Sequence, residues 1–254
     1  MLVEETAPQI GTLKEGALHA QLKEWYSRPG DEVEARRSGY VIDIVRGELL
    51  IEIQTGGFAP LRRKLEALTR EHVVRVVVPV ACERRIVRLS GEGEILSARR
   101  SPRHGRVEDI FSRLVSIPAL LRRPGLELEI LLTEEEELRT HQPGKAFRRR
   151  GWVVSGRSLA RVAGSIRIER PEDAAALLPP HLPDLFDTAE LAAAAAITRR
   201  LAQQMTYCLR SMEMLEIVGS RGRANLYRRT DSPSRAPAAH RPKNVPRKSE
   251  ARLA

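Results

Sequence analysis

Aromatic side chains are scarce in this sequence, 4% of 254 residues, so any interior must rest on Leu, Val, Ile and Ala. Cysteine is scarcer. Cys82 and Cys208 stand far apart without metal-ligand spacing, which excludes a disulfide framework or a zinc finger and implies two buried thiols in a reducing cytoplasm. No apolar run reaches the roughly 18–20 residues that span a bilayer, and the longest bland stretch, 191–197, is short and alanine-rich. Residues 1–11 are acidic and polar, unlike a signal peptide. What is present, 42% hydrophobic and 30% charged residues, suits a soluble globular protein with one large or two small cores.

The net charge of +10 is unevenly placed. Residues 198–254 hold 13 Lys or Arg against 4 Asp or Glu, which leaves 30 basic and 29 acidic residues for the first 197. A basic region concentrated at one end is the footprint of a phosphate-backbone binder. A membrane surface would attract the same charge, but no basic amphipathic helix with bulky apolar anchors accompanies it, so the expected partner is DNA and not a membrane.

Apolar spacing predicts a helix over 11–26, stopped by Arg28-Pro29-Gly30-Asp31. Strands are expected at 32–37, 40–46 and 48–55, with Gly47 at the first position of a type II′ turn. A helix over 59–71 follows, then a β-branched run at 72–80 that reads as a central strand buried on both faces. Residues 85–89 and 94–98 suit a hairpin, 99–106 a basic loop, 107–122 a helix and 126–132 a strand. Glu134–Glu137 then reads as a solvated helix start, 144–150 as a turn with a basic cluster, and 152–168 as strand, short helix and strand. After a short helix at 171–178 and a proline-marked linker, the order changes to helix, tight turn, longer helix and hairpin, the outline of a winged helix. Residues 230–254, with four prolines and six basic side chains, are expected to be disordered.

The hairpin at 40–55 carries the chemistry. A two-residue turn at Gly47-Glu48 sets a register that puts Asp43 opposite Glu52, with Gln54 on the same face. Their neighbours Val41, Val45 and Leu50 are apolar, whereas a solvated strand face would be polar there too. Two carboxylates opposed among apolar residues need a shared proton or a divalent cation, and Mg²⁺ is commonly held by one or two carboxylates.

A carboxylate on one strand, Glu52-Ile53-Gln54 on the next, a helix and then a hydrophobic strand resemble the restriction-endonuclease-like, or PD-(D/E)XK, superfamily, over residues 11–89. The resemblance implies an α/β (α+β) protein with a mixed β-sheet core flanked by helices. It implies an Mg²⁺- or Mn²⁺-dependent endodeoxyribonuclease in which Asp43 and Glu52 bind metal. A glutamate of the first helix assists them, Glu15 or secondly Glu24. Ile42 stands at the proline of the family name. Gln54 stands at the usual lysine, which orients the attacking water, and Lys64 on the following helix is the candidate to supply the missing charge.

In the winged-helix unit the longer helix would present Arg199, Arg200, Gln203 and Gln204 to base edges, with Arg221 and Arg223 at the wing tip. Arg99, Arg100 and Arg103 would lie along phosphates. The expected organisation is an N-terminal segment (1–10), a nuclease-like domain (11–141), a connecting region (142–185), a winged-helix domain (186–229) and a basic tail (230–254); a homodimer is compatible with it. The rival functions are an inactive nuclease scaffold that regulates through DNA binding, and an interaction module of a defence or repair complex.

Overall fold

A computed structural model describes residues 13–230, with side chains from Gly16 onward. The N-terminal segment and the expected disordered tail lie outside the described residues. The fold is mixed α+β: a large mixed sheet flanked by helices, followed by two helices and a two-stranded hairpin.

Helix α1 (Leu13–Tyr26) buries Leu18, Leu22 and Tyr26, one turn apart each, and leaves Trp25 exposed. Strands β1 (Glu32–Arg37), β2 (Tyr40–Arg46) and β3 (Leu49–Ile53) form an antiparallel meander. Gly47 has φ +55°, as the first position of a two-residue II′ turn requires, and the pairs Arg46↔Leu49, Val45↔Leu50 and Ile44↔Ile51 follow. The helix expected over 59–71 is shorter, a 3-10 turn at Ala59–Leu61 leading into α2 (Arg62–Leu68).

Strand β4 (Val73–Leu89) runs parallel to β3 and is twice as long as its β-branched run suggested. Its second half pairs on one side with β5 (Ile95–Arg100), which takes Arg99 and Arg100 out of the expected loop and into a strand. On the other side β4 pairs in parallel with β6 (Leu126–His141), and β6 pairs antiparallel with β7 (Trp152–Ile168). Glu134–Glu137 therefore starts no helix. It continues β6, with Glu135 and Glu137 buried because Arg84 of β4 reaches both, 3.4 Å away in each case. Likewise 152–168 is one strand, since its alternation is read against β6 rather than against solvent.

Residues 107–122 form no continuous helix. They fold as a 3-10 turn (Val107–Ile110), α3 (Phe111–Leu114) and a second 3-10 turn (Pro118–Arg122), because Pro118 has no N–H to continue a helical ladder. The chain goes on through α4 (Pro171–Ala175) to α5 (Thr188–Ala194). Asp187 is its N-cap: the carboxylate accepts from the Ala189 and Glu190 N–H groups while Glu190 accepts from Asp187 N–H. Helix α6 (Arg199–Ser211) is capped by Thr198, and strands β8 (Leu215–Arg221) and β9 (Ala224–Arg229) close the order.

Adjacent residues of the central strands feed opposite faces. Leu50, Val76 and Ile130 join one apolar cluster; Ile51, Val77 and Leu131 join the other, with α1. The first cluster runs without interruption from the sheet through Phe111 to Met205, Cys208 and Leu209 of α6 and Tyr227 of β9. The boundary expected near residue 186 therefore separates no two cores. Phe111→Ala is expected to cost about 3–5 kcal/mol and to lower one common melting transition, seen alike by far-ultraviolet circular dichroism and tryptophan fluorescence. Two separated transitions would show that α5–β9 folds on its own.

Candidate functional site

The expected register holds as far as Ile44↔Ile51 and stops there. Ile42 and Ile44, two residues apart, lie in opposite apolar clusters, so β2 loses its strict alternation at Asp43. On the β1 side the pairs Val33↔Ile44 and Ala35↔Ile42 flank a missing one, and Glu34, which would face Asp43, has φ +53°. Asp43 thus sits at a kink rather than in a regular ladder. Its Oδ2 accepts the Ile53 N–H at 2.8 Å, capping the end of β3, and lies 3.3 Å from His19 Nε2 of α1.

Glu52 is 5% exposed and pairs with Val76 in the sheet centre. Lys64 Nζ of α2 lies 2.5 Å from Glu52 Oε1 and donates to Val41 O at 2.6 Å. Apart from this ion pair, no donor among the described residues reaches the buried Glu52 Oε1. Instead of facing each other squarely, Asp43 is drawn to α1 and Glu52 to α2. The four groups still form one electrostatic cluster, in which Asp43 and His19 act on Glu52 and Lys64 acts on Asp43.

The two carboxylates are pushed in opposite directions. Burial raises the pKa of Glu52 above the ordinary carboxylate value and Lys64 only partly offsets it. Burial also acts to raise Asp43, but the bonds from His19 and Ile53 N–H outweigh it and hold the group below its ordinary value. The hydrogen bond to Asp43 raises His19 in turn, against its own desolvation.

Gln54 follows at the mouth of the hairpin. Its backbone N–H donates to Val77 O at 2.8 Å, and its side-chain Nε2 donates to Gly57 O at 2.6 Å. The amide is turned to its own loop rather than to the carboxylates. The Gln54 carbonyl accepts from Arg113 of α3 at 3.3 Å, and Arg113 also donates to Pro79 O. Burial lowers the pKa of that guanidinium from its ordinary value.

Glu15 belongs to α1 one turn before His19, but its side chain lies outside the described residues; Glu24 is exposed. Among the described residues no three His, Cys, Asp or Glu side chains form a ready metal cage. Arg99, Arg100, Arg103, Arg199, Arg200, Gln203 and Arg223 are exposed, Gln204 is half-buried, and Arg221 is paired with Glu190 at 2.7 Å. Among the described contacts none joins these side chains to Asp43 or Glu52.

His19, Arg113, Tyr207 and Arg210 escaped the sequence. His19 had one signal, its position beside Leu18 on the helix that docks on the sheet. Arg113 interrupts the apolar run from Ile110 to Leu114. On α6, Tyr207 and Arg210 follow Arg200 and Gln203 at helical spacing, and all four are exposed.

The sequence profile of a domain-of-unknown-function family (DUF8091) matches residues 16–169. The chain belongs to this family, whose span holds His19, Asp43, Glu52, Gln54, Lys64 and Arg113. An uncharacterized protein of Treponema pallidum (strain Nichols) is 29% identical over 222 residues, 87% of each chain. No solved structure matches.

The His19–Asp43 bond has a pH signature. The folded pKa of His19 lies above 6.5, so its stabilising contribution is complete below 6.5 and lost as pH rises through the folded midpoint. His19→Gln should therefore be less stable than wild type in acid, by urea denaturation, with the gap closing on the alkaline side. A gap of constant size would show that no charged histidine is involved.

Proposed function

We propose that this family member is a DNA-binding phosphodiester hydrolase with a restriction-endonuclease-like sheet, dependent on Mg²⁺ or Mn²⁺. The observation that carries this reading is the buried Glu52 carboxylate, whose Oε1 meets only the Lys64 ammonium among the described residues, in one electrostatic cluster with Asp43. The element order supports it as well: helix, antiparallel hairpin, helix and parallel strand, with the acidic groups where β2 and β3 part.

The absence of a three-ligand cage does not argue against Mg²⁺, which is commonly held by one or two carboxylates together with substrate phosphate oxygens. Asp43 and Glu52 would hold it, and it would supply Lewis-acid polarisation of the phosphate and a nucleophile at neutral pH. Glu52 would be ionised when it holds the cation, whose charge would offset the burial that raises its pKa. His19 and Ile53 N–H orient Asp43. Lys64 takes the part of the motif lysine that Gln54 cannot fill: its ammonium, already beside Glu52, meets the charge that develops on the phosphate. Through its bond to Gln54 O, Arg113 keeps the hairpin mouth in place.

DNA would be held from α5, α6 and the β8–β9 hairpin, read as a winged-helix unit, with Arg199, Arg200, Gln203, Tyr207 and Arg210 on the exposed face of α6. A second reading, a catalytically silent DNA-binding scaffold, has the engagement of Gln54 with Gly57 O in its favour.

Incubation of linear, nicked, branched and single-stranded DNA with Mg²⁺ or Mn²⁺ decides between them. Asp43→Ala and Glu52→Gln are expected to lower the cleavage rate by about 10²-fold or more, the scale of losing one group that stabilises transition-state charge. Lys64→Met should lower kcat with little change in DNA affinity. Cleavage unchanged in both carboxylate variants would overturn the site, and DNA binding without cleavage in the wild type would leave the scaffold reading.

A further inference from the structure

The turn between β6 and β7 is built unlike the other turns of the sheet. Residues 142–151 contain Lys145, Arg148, Arg149 and Arg150 and no acidic residue. All four cations are exposed, and none enters an ion pair among the described residues. At their centre Phe147 is 98% exposed. The cost of presenting this ring to water is added to a backbone cost, because Ala146 and Arg150 on either side of it adopt left-handed φ values of +47° and +51°.

The tip is nevertheless closed and braced. Gln142 N–H donates to Gly151 O at 2.8 Å, Lys145 N–H to Gln142 O, Arg149 N–H to Ala146 O and Arg150 N–H to Phe147 O. Gly151 has φ +83°, and a Cβ there would meet His141 Nε2 at 2.6 Å. Just below, the His141 and Trp152 rings meet tilted by 57° with centroids 5.3 Å apart, and the Arg88 guanidinium lies over Trp152 at 4.7 Å. A phenylalanine ringed by cations is thus held out at the end of a paired stalk.

We infer that the β6–β7 finger is a nucleic-acid contact in which Phe147 stacks on an unpaired base while Lys145, Arg148, Arg149 and Arg150 take the flanking phosphates. Charge complementarity selects a polyanion, and the lone flat ring selects one with exposed base faces, since stacking on aromatic side chains is how proteins hold single-stranded bases. A lipid surface would reward several bulky anchors, whereas this tip carries one.

The inference rests on the nucleic-acid reading above and sharpens it by naming the DNA feature recognised. Ile53, Val77 and Glu129 share one row across the sheet, and His141 lies twelve residues farther along β6. At ~3.3 Å per strand residue the finger base is about 40 Å from the carboxylate hairpin. That is roughly twelve base pairs at 3.4 Å each, so the substrate expected is a duplex with a single-stranded junction or overhang about one helical turn from the point of attack.

The test uses the full chain, without divalent cations, and a short duplex whose overhang carries 2-aminopurine as its first unpaired base. Wild type is expected to quench the 2-aminopurine emission and to prefer this DNA to a blunt duplex. Phe147→Ala should weaken overhang binding by about tenfold and abolish the quench, while Phe147→Trp keeps both. Arg148, Arg149 and Arg150 replaced together by Ser should flatten the salt dependence by about two in log–log slope. Equal overhang binding by wild type and Phe147→Ala would overturn the inference. So would Phe147-dependent binding to phosphatidylserine vesicles with no preference for overhang DNA. Because the assay needs no cleavage, a Phe147 effect in a protein that does not cut DNA keeps the finger and removes the hydrolase; cutting without a Phe147 effect does the reverse.

Discussion

The parallel pairing of β4 with β6 organises the molecule. It runs from Val74↔Leu126 to Leu89↔Thr140 with one irregularity, at Ala81/Glu83. Over the first half, β4 lies between two parallel neighbours, β3 and β6, and Val74, Val76, Val77 and Val78 are buried toward both faces. Over the second half β5 replaces β3, and the ion pairs of Glu135 and Glu137 share the interior with Ile86 and Val87. A pair of strands this long does not bend independently of itself. Whatever is attached at its two ends, the carboxylate hairpin at one and the β6–β7 finger at the other, is held at a set separation.

The polar half of this beam shows how charge enters a sheet interior. Glu137 is contacted by Arg84, Arg139 and Arg157, which outweigh its burial and hold its pKa below the ordinary carboxylate value. Glu52 is the contrast. One lysine faces it, and desolvation wins. Glu137 meets three guanidinium groups and Glu129 two, whereas Glu52 meets a single ammonium. Such a shortfall is costly in a folded interior and is the condition under which a cation or a proton becomes the missing partner.

Position in the fold decides how Asp43 and Glu52 differ. The kink at Asp43 turns its carboxylate toward α1, where His19 and the Ile53 N–H stabilise the charged form. Glu52, in the regular part of β3, points into the face covered by α2. Two groups of the same chemistry are thereby given opposite protonation tendencies, an arrangement found where one carboxylate must stay charged and its neighbour must respond to what binds.

Local pattern alone determined α1, the three strands of the meander and the Gly47 turn, because period-3.6 and period-2 spacing and a positive φ are properties of a few consecutive residues. It also marked Asp43 and Glu52, since acids among apolar neighbours stand out in one dimension. The length of β6 and β7 was invisible for the same reason: Glu134–Glu137 and Arg157 look solvated until Arg84 and its neighbours are brought alongside them. The short turns over 107–122 resemble one helix until Pro118 and the packing of Phe111 against α6 divide them. Only the tertiary structure decided that His19 meets Asp43, that Lys64 turns to Glu52 and that Gln54 turns away. The His19–Asp43 and Lys64–Glu52 contacts join residues 24 and 12 positions apart, on elements whose relative placement is set by burial against the sheet and not by any spacing in the chain.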